Sequence, residues 1–156
     1  MKRTNGFTLV EAMAVLAILV ILASLAAPSF RSTIERTKVR KTSDLISQLV
    51  IFARNEALNK NHDAYLSIQD GASPAFCLST TAATATGHAC DIRRELITAG
   101  ITVTPSSSSG VIAEMKFSRI FGTPSPIVTT FTVTNGSSTQ TVTVNMLGMV
   151  KVGAQS

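Results

Sequence analysis

The stretch Gly6-Phe7-Thr8-Leu9-Val10-Glu11, with the apolar run that continues to Ala27, predicts the architecture of this chain. Within this run, from Phe7 onward, only Thr8, Glu11 and Ser24 are polar. As a helix at ~1.5 Å per residue, the run would be about 31 Å long, which is enough to cross the hydrocarbon core of a bilayer. The sequence therefore predicts a transmembrane helix over residues 7–30.

The flanks of the apolar run leave its orientation and its processing open. Lys2 and Arg3 precede it, as in a cytoplasmic flank, but basic residues also follow it over 31–41. A secretory signal peptide is an alternative, with Ser24-Leu25-Ala26 as small residues for cleavage, although such a peptide has an apolar region of only roughly 7–15 residues. A carboxylate deep in a bilayer costs about 2.5–3.5 kcal/mol, so Glu11 needs either a partner or a hydrated position near the interface.

The segment from Gly6 to Glu11 resembles the class III signal of type IV pilins and type II secretion pseudopilins, in which Gly, Phe and Glu have this spacing before an apolar helix. The resemblance implies that a prepilin peptidase removes the leader 1–6 by cutting after Gly6, and that Phe7 is then methylated. It also implies that Glu11 pairs with the N-terminal amine of a neighbouring subunit during assembly, which gives the charge a partner. Pro28 fits this family, and by itself predicts a helix end or a kink.

A second helical pattern covers residues 31–62. Five apolar residues at three- and four-residue spacing form one face of an amphipathic helix: Ile46, Leu49, Val50, Ala53 and Ala57. The more polar stretch 31–43 is predicted to be exposed. The segment Ala53-Arg54-Asn55-Glu56-Ala57 resembles the alanine-arginine-x-glutamate-alanine stretch of the GspH/FimT family of minor pilins and pseudopilins. Periodicity alone would make Arg54 and Glu56 part of a solvated helix face.

The remaining residues, 63–156, have the alternation and the turn residues of a β-rich head. Ile127–Thr134 and Thr139–Met146 alternate apolar residues with threonine, and Asn135-Gly136-Ser137-Ser138 predicts the hairpin loop between them. Other predicted strands are Ala64–Gln69, Ile101–Thr104, Val111–Phe117 and Gly148–Val152, and the predicted loops are Ser79–Gly87 and Pro105–Gly110. The predicted fold is α+β and type IV pilin-like, with a long N-terminal helix packed on a small antiparallel sheet.

Two cysteines, Cys77 and Cys90, lie outside the predicted membrane helix with twelve residues between them. If the head is periplasmic, we expect them to form a disulfide, which would stabilise the fold by about 3 kcal/mol on the chain-entropy estimate. The alternative is a metal site that also uses His88 and Asp91, but the spacing matches no standard zinc pattern. The sequence predicts neither a metal site nor a cofactor.

The sequence contains no catalytic motif. It has no nucleophile elbow, phosphate-binding loop, dinucleotide fingerprint or zinc-protease motif. His62 and His88 lie in polar surroundings, and Glu11 has no second carboxylate beside it for acid–base chemistry. We therefore predict that the chain is not an enzyme.

The resemblance implies a minor pilin of a type IV pilus that takes part in pilus assembly and priming. Its implied partners are the prepilin peptidase, the major pilin, other minor pilins, the assembly platform of the inner membrane and, before assembly, the lipid bilayer. The implied location is the bacterial inner membrane with a periplasmic head, followed by incorporation into the extracellular pilus. A minor pseudopilin of the type II secretion system is an alternative, because pseudopilins share the same N-terminal and helix motifs.

A second alternative is DNA binding during natural transformation, which some FimT-like proteins perform through a C-terminal glycine-arginine-x-arginine loop. The corresponding stretch is Gly148-Met149-Val150-Lys151, which keeps the glycine and one of two cations. Four other cations of the head would have to complete a phosphate-binding patch: Arg93, Arg94, Lys116 and Arg119. The net charge of +5 falls to +3 when Lys2 and Arg3 leave with the leader, and most of the excess lies over 31–41. Scattered solvated cations are therefore the ordinary interpretation.

Overall fold

The computed structural model describes residues 8–83, 89–107, 110–111 and 114–156. The chain divides into two compact units, Met1–Ile34 and Glu35–Ser156. Its elements in chain order are α1 (Leu9–Lys60), β1 (Ala64–Gln69), β2 (Ala75–Ser79), β3 (Arg93–Leu96), β4 (Thr102–Ser107), β5 (Gly110–Val111), β6 (Glu114–Phe117), β7 (Pro124–Ser125), β8 (Thr129–Asn135), β9 (Ser138–Val144) and β10 (Val150–Val152).

The helix α1 is continuous over 52 residues, including Pro28. A proline inside a helix removes one backbone donor and costs about 3 kcal/mol, but it does not stop α1, so a helix end at Pro28 is excluded. The helix stops where the sequence predicts, just before Asn61, which has a φ of 53° and so acts as a left-handed cap. The sequence predicted a membrane-crossing helix over 7–30; within the described residues, no helix is both long and apolar enough to cross a membrane.

The strands form two antiparallel five-stranded sheets. Sheet A has the order β3-β2-β1-β6-β7, and sheet B has the order β10-β9-β8-β4-β5. The predicted hairpin is confirmed as β8 and β9, which pair from Thr129 opposite Val144 to Asn135 opposite Ser138. The alternation places Phe131 on the buried face of β8, while the threonines between the apolar residues face outward.

One hydrophobic core joins residues 35–60 of α1 to both sheets. All five residues of the predicted apolar stripe are buried, and they pack with Phe117 and Met115 of sheet A and with Phe131 and Val142 of sheet B. The core begins earlier on α1 than predicted, because Val39, which lies in the stretch predicted to be exposed, is also buried. The reason is that the β8–β9 turn reaches back along the helix: a Cβ on Gly136 would lie 3.1 Å from Glu35 Oε2.

Three strands were not predicted, namely β2, β3 and β7. Every residue of β2 is buried, so this strand lacks the apolar–polar alternation that reveals a half-exposed strand. The predicted loop Pro105–Gly110 is wrong at its beginning, because β4 continues to Ser107 and pairs with β8 along its whole length. Proline is tolerated at position 105 because β5 pairs only with Ser106 and Ser107, so among the described residues β4 has a strand neighbour on one side alone at this position, as an edge strand has.

Candidate functional site

The first turn of α1 contains Glu11 and is capped by Thr8. The backbone N–H of Glu11 donates to Thr8 Oγ1 at 3.3 Å, and the N–H of Ala12 donates to the Thr8 carbonyl at 3.2 Å. Thr-x-x-Glu is the sequence of a capping box, and an acid in the first turn also favours the positive end of the helix dipole. Thr8 therefore caps the start of the helix, and Glu11 occupies the acidic position of the capping box. The predicted cleavage and methylation residues, Gly6 and Phe7, lie outside the described residues.

The N-terminal part of α1 exposes an apolar surface. Ten large apolar side chains between Leu9 and Leu22 are exposed, from 47% for Val15 to 76% for Leu9. A helix that is apolar all round is not stable in water and is normally covered by lipid or by other helices. This surface therefore requires partners from outside the chain.

Two of the five candidate DNA-binding residues contact one carboxylate, Lys116 through its side chain and Arg119 through its backbone. Lys116 Nζ lies 2.8 Å from Asp63 Oδ2, and Asp63 Oδ1 accepts the backbone N–H of Arg119 at 3.0 Å. The hydrogen bond from Lys116, followed by that from Arg119, lowers the pKa of Asp63. The same hydrogen bond to Asp63, together with the nearby Tyr65, raises the pKa of Lys116. The positive charge of Lys116 is thus already paired with a carboxylate within the head.

Two further cations lie on the edge strand β3. The Arg93 guanidinium forms an ion pair with Glu95 at 2.7 Å and lies 5.4 Å from the centre of the Phe52 ring. Arg94 donates to the carbonyl of Ser73 at 3.4 Å. In sheet A, β3 is three strand spacings away from the strand of Lys116, which corresponds to about 14 Å.

The last candidate cation, Lys151, lies on β10 at the edge of sheet B, exposed and opposite Thr143. The structure therefore brings Lys116 and Arg119 together, and places Arg93 with Arg94 at a second position and Lys151 at a third.

The predicted disulfide is present between Cys77 on β2 and Cys90, with an S–S distance of 2.06 Å. The loop that it closes has an additional anchor at its base, where the Asp91 carboxylate accepts the Thr80 N–H at 2.9 Å and the Thr80 hydroxyl at 2.5 Å. Burial raises the pKa of Asp91, but the hydrogen bonds from Thr80 lower it by more, so the pKa lies below its usual value.

A second anchor of this loop was not predicted from the sequence. Glu114 on β6 accepts the backbone N–H of Ala83 at 2.6 Å, and so fixes the loop against sheet A. His88, the third residue of the alternative metal site, lies outside the described residues. In the part of the chain that the structure describes, no group of three or more His, Cys, Asp or Glu residues could hold a metal ion.

Arg54, in the segment that resembles the GspH/FimT family, is half-buried and does not lie on a solvated face. Its side chain fills the space beneath two turns: a Cβ on Gly122 would lie 3.0 Å from Arg54 Cγ, and one on Gly148 would lie 3.2 Å from Arg54 Cδ. Arg54 Nε is buried and has no hydrogen-bond partner among the described residues. Glu56, also half-buried, lies 3.9 Å from His62.

A helix with an exposed apolar N-terminal surface, continuing into a β-rich head, defines a pilin-like subunit. The comparisons identify the family. Residues 1–27 match the prokaryotic N-terminal methylation motif, and residues 42–148 match the family described as type II transport protein GspH. Because the second match covers more than half of the chain, this chain belongs to the GspH family.

Solved structures of pilin-like proteins share the fold. The type IV minor pilin FimU of Pseudomonas aeruginosa is 14% identical with a TM-score of 0.61, over 77% of this chain and 91% of FimU. The minor pseudopilin EpsH from the type 2 secretion system of Vibrio cholerae is 13% identical with a TM-score of 0.54, over 75% of this chain and 97% of EpsH. At these identities the likeness concerns the fold alone. The comparison with curated proteins finds no match.

Proposed function

We propose that this chain is a minor subunit of a type IV pilus and takes part in pilus assembly and priming. The observation that carries the proposal is the exposed apolar surface of α1 between Leu9 and Leu22, in a chain of the GspH family with an N-terminal methylation motif. In a filament, helices of the same kind from neighbouring subunits cover this surface. The role of the chain is structural and not catalytic.

The subunit matures before it assembles. A prepilin peptidase removes residues 1–6 by cutting after Gly6, and the new N-terminus at Phe7 is methylated. Until assembly, the subunit is held in the bacterial inner membrane with its head in the periplasm. The methylation motif over residues 1–27 supports this sequence of events, and the Cys77–Cys90 disulfide is typical of an oxidising compartment.

Glu11 aligns the subunit with its neighbour by pairing with the neighbour's N-terminal amine. Two substitutions separate this role from helix capping. Glu11→Gln retains a residue that is suitable for a capping box but removes the charge, whereas Glu11→Ala removes both. The measurement is the fraction of the subunit recovered in sheared filaments, with Asp44→Asn as the control at an exposed carboxylate elsewhere on α1.

We expect both Glu11 variants to lose incorporation and Asp44→Asn to assemble normally. If Glu11→Gln assembles like the wild type while Glu11→Ala does not, Glu11 acts only as a cap. If all three variants assemble normally, the proposal that Glu11 guides assembly is refuted.

The type II secretion filament is the second candidate, because the matching family is described as a type II transport protein. Deletion of the gene separates the two candidates. Loss of surface pili with normal protein secretion supports the pilus, and loss of secretion with normal pili supports the pseudopilus. DNA capture has less support, because Lys116 is paired with Asp63, Arg93 is paired with Glu95, and Lys151 lies on the other sheet.

A further inference from the structure

Three loops at one end of the unit Glu35–Ser156 expose large apolar side chains. The loops are residues 119–122, 126–128 and 145–149, and together we call them the loop-end surface. Six of their side chains are each at least 55% exposed: Ile120, Phe121, Ile127, Met146, Leu147 and Met149. Contiguous exposed apolar areas larger than a few hundred Å² are rare on monomeric soluble proteins and usually mark an interaction site.

The loops of this surface meet over the side chain of Arg54. A Cβ on Gly148 would lie 3.2 Å from Arg54 Cδ and 3.5 Å from the carbonyl oxygen of Gly122. Gly122 and Gly148 have φ values of 61° and 72°, which side chains rarely adopt, so glycine permits this close approach. Thr129, the first residue of β8, pairs with Val144, the last residue of β9. The loop 126–128, which precedes Thr129, is therefore next to the turn 145–149, which follows Val144.

The turns are ordered by their own hydrogen bonds. Asn145 Oδ1 accepts the N–H of Leu147 at 3.0 Å and the N–H of Met149 at 2.9 Å. In the other turn, the N–H of Gly122 donates to the Ser118 carbonyl at 2.7 Å. Because the backbone of these turns is already ordered, little backbone freedom remains to be lost when a partner covers them.

Positive charge accompanies the loop-end surface. Arg119 begins the first loop and Arg54 lies beneath the turns, whereas the three loops contain no Asp or Glu. The Asp63 carboxylate lies beside Arg119 but is already paired with Lys116, so a symmetric contact with a second copy would bring together two surfaces with an excess of positive charge. A partner with carboxylates around an apolar face is complementary in charge.

We propose that the loop-end surface binds the head of a different pilin-like subunit, which presents an apolar face bordered by carboxylates. This inference rests on the proposed function. The surface lies beside Leu58, about 35 Å along α1 from Glu35 at ~1.5 Å per residue. When subunits pack with their helices parallel, this end of one head faces the subunit ahead of it. The contact is therefore heterologous, joining two different faces.

The test is a binding titration with the full chain in detergent. The probes are the other pilin-like proteins encoded in the same genome, each purified in detergent and titrated singly. We expect one of them to bind, and Phe121→Ser or Leu147→Ser to weaken that binding by about tenfold or more, as for a side chain at the centre of an interface. Arg119→Ala should also weaken it, with a smaller dependence on salt than the wild type.

Leu96→Ser is the matched control, because Leu96 is 59% exposed but lies on β3, away from these loops. It should bind like the wild type, and all variants should keep the Cys77–Cys90 disulfide and an unchanged melting temperature. The inference is overturned if no probe binds, or if Phe121→Ser and Leu147→Ser bind like the wild type. It is equally overturned if these two variants abolish only self-association.

A lipid partner is also tested. Assembled filaments are also tested for binding to phosphatidylglycerol vesicles. If Phe121→Ser and Leu147→Ser weaken vesicle binding but leave the binding of other subunits as in the wild type, the surface binds a membrane and the inference is wrong. Failure of this inference is distinct from failure of the proposed function. In the first case Phe121→Ser has no effect although Glu11→Gln abolishes assembly; in the second, Glu11→Gln assembles normally and gene deletion leaves pili intact.

Discussion

Breaking the Cys77–Cys90 disulfide should lower the free energy of unfolding of the head by about 3 kcal/mol. The two cysteines are 13 residues apart, and the chain-entropy relation gives about 3 kcal/mol for a loop of this size. In a unit of the size of Glu35–Ser156, this loss corresponds to a fall of about 10 °C in melting temperature. The reduced head should still fold, because the anchors at Thr80 and Ala83 do not depend on the disulfide.

The assay is thermal unfolding of the full chain in detergent, followed by circular dichroism with and without a reducing agent. Reduction of the wild type is a cleaner perturbation than Cys77→Ala/Cys90→Ala, because Cys77 is fully buried and its truncation adds the cost of a cavity. The double variant serves as the control, since the reducing agent should leave its melting temperature unchanged.

A fall of less than about 2 °C on reduction of the wild type would refute the reasoning, because it would correspond to well under 1 kcal/mol. The two hydrogen-bonded anchors, and not the disulfide, would then limit the freedom of this loop. A complete loss of folding on reduction would also contradict it, because, among the described residues, β2 is the only part of the disulfide loop that belongs to the core of α1 and the two sheets.

Three further predictions concern local contacts. Asp63→Asn should lower the free energy of unfolding by up to about 1 kcal/mol at neutral pH, because it breaks the ion pair with Lys116. Since the pKa of Asp63 is lowered from 3.8, this stabilisation is complete above that value and is lost as the pH falls through the pKa of the folded state. If urea unfolding gives the same difference in stability between the wild type and Asp63→Asn in acid as at neutral pH, the prediction is contradicted. Gly148→Ala should lower the free energy of unfolding by about 1–2 kcal/mol in thermal unfolding, because a non-glycine residue with a φ of 72° is strained. Gly148→Asn should lower it by less, and equal losses for the two variants would argue against backbone strain. In a DNA titration, the slope of log affinity against log salt concentration should correspond to no more than about two neutralised phosphates, and Lys151→Ala should reduce that number by about one. A slope that corresponds to about four phosphates or more would mean that the candidate cations, Arg94 among them, bind DNA as one patch.

The sequence predicts the elements whose pattern is set by a single buried face. The β8–β9 hairpin and the stripe from Ile46 to Ala57 are of this kind, because each has one face on the core and one face toward solvent. The strand β2 was missed because it is buried on both faces. Cys77, which alternates with the core residues Phe76 and Leu78, is bonded to Cys90, and a disulfide contact of this kind leaves no periodic signal in the sequence of either segment.

The candidate cations show a different limit of prediction. Their positions in the sequence are compatible with a common patch, but strand order decides which residues meet, and strand order was not predicted. Because β1 and β2 separate β3 from β6, Arg93 and Lys116 are brought to different acids, Glu95 and Asp63. The Arg93–Glu95 pair lies within β3, two residues apart, but the pairing of Lys116 with Asp63 depends on the register of β1 and β6, which composition and spacing do not contain.

The two parts of α1 indicate how affinity and specificity are divided during assembly. The buried stripe from Val39 to Ala57 is covered within the chain, whereas the ten exposed apolar side chains between Leu9 and Leu22 contribute nothing to the stability of the isolated head. At about 1.5–3 kcal/mol for each large side chain, keeping them out of water is favourable by on the order of 20 kcal/mol, whether the bilayer covers them before assembly or neighbouring helices cover them afterwards, and this term depends little on how the helices are aligned. In the proposed assembly the contribution of Glu11 does depend on alignment, because a buried charge without its partner costs about 3–5 kcal/mol. A single carboxylate on an otherwise apolar surface is therefore sufficient to select one axial register from the many that the apolar contacts alone would allow.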